Sequence, residues 1–346
     1  MNVLLAAIDD ADHVLARLGV EVFEKAGPGD PRTAAGFDRF VLQAVRAVER
    51  RVGDRATTGF AAAARSLDRN WPSMSEAQRT AAVDLAADQY LGIGRDLAPR
   101  VGKALQDPGE RIAARTRAAL AADGLAIQAD LDIADQRAVW AAATSQANFV
   151  RDTFGVRSER FSQKARQIVA DGLEAGKDRF DITAALSAQL NSVEAKRTEA
   201  YWQMIASVFM ARSRTWSTLH GFEEAGISMY RIEAVLDEVT SEICRFMDGR
   251  EFRVARALDR LGQVERAEDP EEVKRLQPWP SVAKGPDGQK AIVVGKGDDA
   301  RVIAVVTRSA VGTKDDRGEF QARMGNKQLQ DIGCSQPPFH GHCRTL

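Results

Sequence analysis

Cysteine and histidine are both scarce in this sequence, whose 346 residues include three cysteines and four histidines. A chain of this length can bury a real core, so a disulfide-dense secreted scaffold is not expected. No apolar run reaches the ~18 residues that a membrane-spanning helix needs. The first residues turn acidic at Asp9 and Asp10, which favours a helix over a signal peptide. We therefore expect no membrane span and a reducing compartment such as the cytoplasm.

Neither sign of charge is in excess, because 48 lysine and arginine residues stand against 49 aspartate and glutamate residues. No global basic field therefore points to nucleic acid. Arginines cluster locally at Arg46, Arg50, Arg51 and Arg55, and again at Arg212 and Arg214. Acidic neighbours such as Glu49 and Asp54 favour solvated helix faces for such clusters. Any contact with DNA is expected through backbone phosphates.

From Met1 to about Ile227 the sequence carries helical periodicity. Between Thr33 and Val52, apolar residues recur at i, i+3, i+4 and i+7 and charged residues take the other face, which predicts an amphipathic helix. The stretch Ser73-Met-Ser-Glu-Ala-Gln predicts a helix that begins at a serine cap.

Stretches with glycine or proline predict where these helices break, namely Asp107-Pro-Gly-Glu, Gly124, Asp152-Thr-Phe-Gly-Val, Gly176 and Gly226. Asp181 is expected to cap one later helix, and an apolar-rich segment from Val193 to Ala225 predicts a long one. We place a domain boundary at the third break. The predicted domains are a helical N-terminal domain at 1–155 and a second domain at 156–346.

After Gly226 the pattern becomes strand-like. The segment 228–236 roughly alternates and predicts a strand, and a tight turn at 248–249 precedes a short extended stretch at 251–254. The segment 291–307 predicts a hairpin, whereas the charged, proline-containing segment 267–289 predicts a surface loop. The predicted fold class is therefore mainly α, with a helical N-terminal half followed by a small α+β domain that contains antiparallel strands.

The residues best suited to bind a metal lie in two places. Four are in residues 334–346, called the tail below: Cys334, His340, His342 and Cys343. The third cysteine, Cys244, directly follows the first predicted strand. Tetrahedral zinc takes thiolate and imidazole ligands, often as a close pair completed from elsewhere in the fold. The pair His340-x-x-Cys343, completed by Cys244 and Cys334, would form a Cys3His zinc site.

The loop around Cys244 is rich in turn-forming residues. Asp237, Thr240 and Ser241 have side chains that can bond nearby backbone N–H groups, and Asp248-Gly249 forms the turn that follows. We expect these residues to fix a structural loop that aims Cys244 at the tail.

Other interpretations of these residues stay open at this point. Cys244 could be a small buried hydrophobe, and His342 could replace His340 as a ligand. An oxidising medium would allow a Cys334–Cys343 disulfide. Cys343 with His340 could be a nucleophile and its base, but little chain follows Cys343 to build an oxyanion hole.

The two motifs together resemble a known family. The order strand, D-x-x-T-S-x-x-C-R-x-x-D-G-x-x-F from Asp237, a variable insertion, then P-P-F-H-x-x-C-R-T from Pro337 is similar to the phage head morphogenesis domain. That family is typified by the minor head protein F of phage Mu. The resemblance covers residues 158–346. The family often has Cys-x-x-Cys in the first motif and ends in C-R-C, whereas this sequence has Cys244 alone and Thr345 after Arg344.

The resemblance implies a minor head protein of a tailed phage or of a phage-like gene-transfer particle. Such a protein would associate with the portal and other head proteins and act in head assembly or in DNA packaging and ejection, without a catalytic step. It would lie in the virion near the portal vertex, and in the host cytoplasm during assembly. Cys244, His340 and Cys343 carry over as expected metal ligands, while Cys334 is added by proximity only.

Two other functions compete with this expectation. A toxin such as an ADP-ribosyltransferase is sometimes joined to phage head domains, and Ser213-Arg-Thr-Trp-Ser-Thr beside Glu223-Glu224 vaguely resembles a transferase arrangement. The helical periodicity of that segment already explains those residues, and Walker A, G-x-G-x-x-G and H-E-x-x-H motifs are all missing. A cytoplasmic helical adaptor with a zinc-stabilised end is the other alternative.

Overall fold

The computed structural model describes residues 29–194, 198–267, 269–285, 288–295 and 297–346. The helix expected at the start of the chain lies outside these residues. Long helices build the first two-thirds of the described chain: α1 (Ala34–Ser66), α2 (Glu76–Ala122), α3 (Ile133–Glu174), α4 (Arg179–Glu194) and α5 (Thr198–Glu224). A short 3-10 helix at Trp71–Ser73 joins α1 to α2.

Local capping sets the starts of these helices. Thr33 accepts a hydrogen bond from the Gly36 amide at the start of α1, and Ser75 forms a reciprocal capping box with Gln78 at the start of α2. Such caps satisfy N–H groups that have no partner inside the helix. The serine cap predicted between 73 and 78 is thus confirmed. The Asp181 cap is wrong, because the Asp178 carboxylate accepts the amides of Phe180 and Asp181 and begins α4.

One hydrophobic core joins α1 to α5 and includes buried residues from Phe37 to Ala211. Two helix crossings depend on glycine, because a Cβ on Gly94 would lie 2.2 Å from Phe154 Cβ and one on Gly109 would lie 2.4 Å from the Phe209 ring. Real Cβ atoms do not approach neighbours so closely, so these helices pack closer than alanine would permit.

Two of the predicted helix breaks are wrong. Pro108 and Gly109 lie inside α2, and residues 152–156 lie inside α3. The Pro-Gly pair does not turn the chain because Gly109 serves the contact with Phe209, and packing along α2 offsets the local cost of Pro108. The proposed boundary between residues 155 and 156 therefore falls within a continuous helix.

The second part of the chain mixes short helices with antiparallel strands. Its elements are β1 (Met229–Arg231), α6 (Glu242–Met247), β2 (Glu251–Arg253), α7 (Val254–Arg266), α8 (Pro270–Leu276), β3 (Ser281–Lys284), β4 (Lys290–Val294), β5 (Arg301–Arg308), β6 (Glu319–Ala322) and α9 (Asn326–Asp331). β1 pairs with β2, and the other strands form a sheet in the order β3-β4-β5-β6. The predicted fold class, mainly α with a small α+β C-terminal part, is confirmed.

Strand predictions in this part were partly correct. The hairpin predicted at 291–307 is present as β4 and β5, which are antiparallel. The strand predicted at 228–236 ends at Arg231, beyond which Ile232 exchanges backbone hydrogen bonds with the turn at Gly249 and Arg250. The surface loop predicted at 267–289 is wrong in part, because it contains α8 and β3. Among the described helices, none combines the length and apolar content needed to cross a membrane.

Candidate metal centre

The first motif folds into a rigid loop that presents Cys244. The Asp237 carboxylate accepts the Val239 amide at 3.2 Å and the Thr240 hydroxyl at 2.7 Å. Ser241 caps α6 by accepting the Cys244 amide at 3.2 Å. These bonds place Cys244 on the first turn of α6, where its side chain faces the tail.

Arg245 holds this loop from behind. Its side chain is fully buried and donates to the backbone carbonyls of Asp237, Thr240, Thr313 and Asp316. A guanidinium carries five N–H donors in a fixed fork, so one side chain can fix two chain segments at once. The motif arginine therefore has a structural role between residues 237–240 and 313–316.

Asp248 and Gly249 complete the loop as predicted. The Asp248 carboxylate accepts the Ala234 amide at 2.9 Å and pairs with Arg317. Gly249 has a φ of +75°, a conformation that costs glycine little. Its amide donates to the Ile232 carbonyl at 2.8 Å, so the turn closes β1 against β2.

The tail is bound by Arg214, which lies on α5 and is 1 % exposed. Its guanidinium donates to the Thr345 carbonyl at 2.7 Å, the Arg344 carbonyl at 3.1 Å and the Pro31 carbonyl at 3.0 Å. The same guanidinium lies 4.2 Å from the centre of the Phe37 ring. One buried cation therefore joins the tail to the helical part of the protein.

Further contacts fix the tail along the strand side. Leu346 and Glu233 exchange two backbone hydrogen bonds of 2.9 Å, and the Tyr230 hydroxyl donates to the Ser335 carbonyl at 2.8 Å. Arg344 pairs with the Asp237 carboxylate. The predicted clasp of the tail on the Cys244 loop is thus present, and most of its contacts are hydrogen bonds rather than sulfur contacts.

Three predicted ligands meet where the tail crosses α6. Cys244 Sγ lies 3.0 Å from His340 Nε2 and 3.8 Å from Cys343 Sγ. The three donor atoms lie within 4.8 Å of one another, with both cysteines buried and His340 half-buried. Cys244, His340 and Cys343 are thus positioned to bind a metal ion.

Their spacing fits a tetrahedral ion with one adjustment. Zinc bonds of ~2.3 Å to sulfur and ~2.0 Å to nitrogen imply edges of about 3.8 Å between sulfurs and about 3.6 Å between sulfur and nitrogen. The observed 3.8 Å between Cys244 Sγ and Cys343 Sγ matches the first edge. The 3.0 Å between Cys244 Sγ and His340 Nε2 would have to open by a few tenths of an ångström.

The two thiols do not titrate alike. Burial opposes ionisation of Cys343, but hydrogen bonds from Cys244, from the Phe339 amide and from Thr345, together with the nearby His340 ring, lower its pKa below the ordinary cysteine value. Cys244 has a raised pKa because it donates to Cys343 and is buried. The pair therefore favours one thiolate, which is the form that binds metal.

His340 is oriented through its other nitrogen. The His342 amide donates to His340 Nδ1 at 3.3 Å, and an accepting Nδ1 puts the proton of the neutral ring on Nε2, beside Cys244 Sγ. A metal ion at Nε2 requires the opposite tautomer, so binding would turn the His342 amide away. Of the two histidines in the tail, His340 is therefore the candidate ligand, because its ring nitrogen lies 3.0 Å from Cys244 Sγ and His342 is not part of the cluster.

Cys334 does not belong to the cluster, so the predicted Cys3His set is corrected to Cys2His. Its thiol donates to the Pro278 carbonyl at 3.4 Å, and burial raises its pKa to about 12. All three cysteines are free. The neighbour of Cys343 is Cys244 rather than Cys334, and the thiol in contact with His340 is likewise that of Cys244.

The structure contains a second cluster of possible metal ligands, with two aspartates and a histidine, that the sequence did not predict. Asp132, Asp135 and His220 lie close enough to share an ion, but the fully buried Asp135 already faces the Arg117 guanidinium at 3.2 Å. Arg117 also pairs with Glu224. A fixed guanidinium supplies the positive charge there, so these residues form an internal ion-pair network between α2, α3 and α5.

The cluster formed by Arg212 and Arg214 is not a solvated face, contrary to expectation. Both side chains are at least nine-tenths buried, and burial lowers the pKa of each to about 10. Ser213 and Ser217, which vaguely resemble a transferase motif, are also buried within α5.

A cavity of about 620 Å³ opens beside the metal ligands. Cys244 and His340 form part of its wall, together with Ser241 and Thr345, and α1 supplies apolar side chains such as Val41. No family model matches this chain, and neither a curated protein nor a solved structure matches it.

Proposed function

We propose that this protein is a minor head protein of a tailed phage or of a phage-like gene-transfer particle. It would associate with the portal and act in head assembly or in the packaging and ejection of DNA. The observation that supports this proposal is the meeting of two short motifs that are far apart in sequence. Asp237 pairs with Arg344, Ser241 Oγ lies 3.1 Å from His340 Nε2, and Cys244 contacts Cys343 across 99 positions of sequence.

This meeting gives the sequence resemblance a physical basis. Three residues of the first motif contact three residues of the second, while the β3-β4-β5-β6 sheet and α7 lie between the motifs in sequence. If each motif resembled the family only by chance, there would be no reason for the two motifs to contact each other in the fold. The motifs therefore act as one unit that anchors the tail.

The metal of this unit is proposed to be zinc in a structural role. Two thiolates and one imidazole are a donor set that suits zinc, and metal binding by the folded state adds stability. The tail would be held by the metal at Cys343 and by Arg214 at Thr345, so loss of either one alone would weaken the clasp without releasing it.

The helical part would supply surfaces for the portal and other head proteins. Ile133, Trp140 and Phe180 are each more than half exposed, and large exposed apolar side chains are typical of contact surfaces when they group together. Packaged DNA would be touched through phosphates, for which the exposed arginines Arg46, Arg50, Arg51 and Arg55 on α1 are available.

The proposal is tested in a producing strain from which the gene is deleted. We expect particles with normal major shell proteins but reduced infectivity or packaged DNA, with recovery by the wild-type gene. The protein should also be found in purified particles and cross-link to the portal. Wild-type infectivity without the gene, together with its absence from particles, would count against a head role. A retained metal centre in that case would favour the zinc-stabilised adaptor.

A further inference from the structure

The metal centre has only three protein ligands among the described residues. Most structural zinc sites are closed by four protein ligands, whereas a site with three leaves the fourth position to water or to an incoming ligand. A centre with three ligands can therefore fasten the tail and still exchange a fourth ligand. Cys334, the expected fourth ligand, is bonded to the Pro278 carbonyl instead. The fourth position is therefore not filled by a cysteine of this chain.

The cavity indicates where the fourth position points. Cys244 and His340 line it, whereas Cys343 is not part of its wall and is 1 % exposed. An ion bound to all three ligands would therefore lie between the buried Cys343 and the cavity. Its fourth coordination position would point into the cavity. A volume of about 620 Å³ is large enough for a small ligand or a protein side chain.

Asp38 and His342 also line the cavity, but neither belongs to the group whose ligand atoms lie within 4.8 Å of one another. The side chains that contact the cluster itself carry hydroxyl groups. Thr345 lines the cavity, and its hydroxyl interacts with both Cys244 and Cys343. Ser241 Oγ lies 3.1 Å from His340 Nε2 and already caps α6. Neutral hydroxyls can hydrogen-bond to thiolates or to a metal-bound water, and they compete poorly with thiolate or imidazole for zinc.

We propose that the metal ion of this centre keeps an exchangeable fourth position that opens into the cavity and accepts a monodentate imidazole or thiolate donor. This inference rests on the proposed metal site. Binding would be a ligand exchange in which the bond from the metal to water breaks, the water leaves to solvent, and the incoming nitrogen or sulfur donates its electron pair. A thiol would release its proton to solvent, and no oxidation state would change. Two thiolate ligands make the centre soft, and soft donors are therefore preferred over carboxylates.

Cobalt(II) reports on this position, because its visible absorption depends on coordination number and donor type. The full-length protein is loaded with cobalt(II) and titrated with imidazole and with 2-mercaptoethanol, and acetate serves as the hard-donor comparison. We expect the visible bands to shift and saturate with imidazole and with the thiol, and to stay unchanged with acetate. Bands that do not respond to imidazole or thiol would overturn the exchangeable position.

Substitution at Thr345 tests the same position from the protein side. Thr345→Cys places a third thiolate at the cavity face, so we expect a stronger thiolate-to-cobalt band and loss of the response to imidazole. Thr345→Ser keeps the hydroxyl and should keep the response. A Thr345→Cys protein that binds cobalt and still responds like the wild type would contradict the assigned direction.

The source of the fourth ligand is tested with His342→Ala and with His13→Ala, whose position lies outside the described residues. Both variants should keep the wild-type spectrum and its response. A changed resting spectrum in either variant would show that the chain fills its own fourth position, which overturns the proposal but not the metal site. Absence of any thiolate-to-cobalt band in the wild type would overturn both.

Discussion

Arg214 donates a 2.7 Å hydrogen bond to the carbonyl of Thr345, next to the last residue of the chain. The donor lies on a long helix and the acceptor lies 131 positions away. Because the guanidinium is buried and also binds Arg344 and Pro31, this contact holds three segments together independently of any metal.

Replacing Arg214 with methionine should therefore destabilise the protein whether or not metal is present. Three carbonyls would lose a charged donor, and we expect the free energy of unfolding to fall by about 2 kcal/mol. Urea denaturation with and without chelator measures the change.

Arg100→Met is the matched control, because Arg100 is partly exposed and its ion-pair partner among the described residues is Asp96, one turn away. Such pairs contribute about 0.5 kcal/mol or less. Equal urea midpoints for the two variants would contradict the role of Arg214 in holding the tail.

Cysteine substitutions separate the metal ligands from the third thiol. Cys244→Ser and Cys343→Ser should each abolish bound metal, since only two donors remain, and the melting temperature should no longer respond to chelator. Cys334→Ser should keep its metal, because Cys334 contacts the Pro278 carbonyl and not the cluster. Elemental analysis of the purified proteins measures the metal. A metal-free wild-type protein whose melting ignores chelators would refute the centre.

Two glycines on one helix should respond oppositely to alanine. Gly94→Ala puts a Cβ against Phe154 and should cost about 1–3 kcal/mol through overpacking. Gly92 is exposed with nothing within 4 Å of such a Cβ, so Gly92→Ala should stabilise by about 0.5–1 kcal/mol. Thermal or urea unfolding measures both variants. A neutral Gly94→Ala would show that α2 and α3 can separate without cost.

The His220 network should make stability depend on pH. The hydrogen bond from the His220 ring to the Asp135 carboxylate raises the pKa of His220, and the charge on Asp132 adds to this effect, while burial and Arg117 oppose it. A raised pKa in the folded state means that the contribution is complete below the unfolded pKa of about 6.5 and is lost as pH rises through the folded pKa.

The measurement is the difference in unfolding free energy between the wild type and His220→Gln. We expect this difference to be largest near pH 6 and smallest near pH 8.5. The single substitution leaves the cysteines unchanged in both proteins, so their titration cancels in the comparison. A difference that is flat with pH would show that His220 remains neutral in the fold.

The ends of helices could be predicted from the sequence where a single glycine adopts the positive φ that terminates the helix. Gly124, Gly176 and Gly226 all have positive φ and follow the ends of α2, α3 and α5. Pro108-Gly109 carries the same local signal but lies within α2, because a tertiary contact with Phe209 decides the outcome. Local chemistry therefore predicts helix ends well only where no distant partner requires the same residue.

The site was predictable to a similar degree. Motif spacing identified Cys244, His340 and Cys343, because each motif fixes its own residues locally. Cys334 was assigned to the site by proximity in sequence, which says nothing about which side of the tail a thiol faces. Arg214 was missed because its partners are backbone carbonyls far along the chain, and carbonyls leave no signature in a sequence.

The contacts of Arg214 have one more consequence. A single guanidinium bonds both Pro31, near the start of the described chain, and Thr345, next to its last residue. Within the described residues, the backbone therefore meets the Arg214 guanidinium at residue 31 and returns to it at residue 345. One substitution at Arg214 would therefore disturb the fold near both limits of the described residues at once.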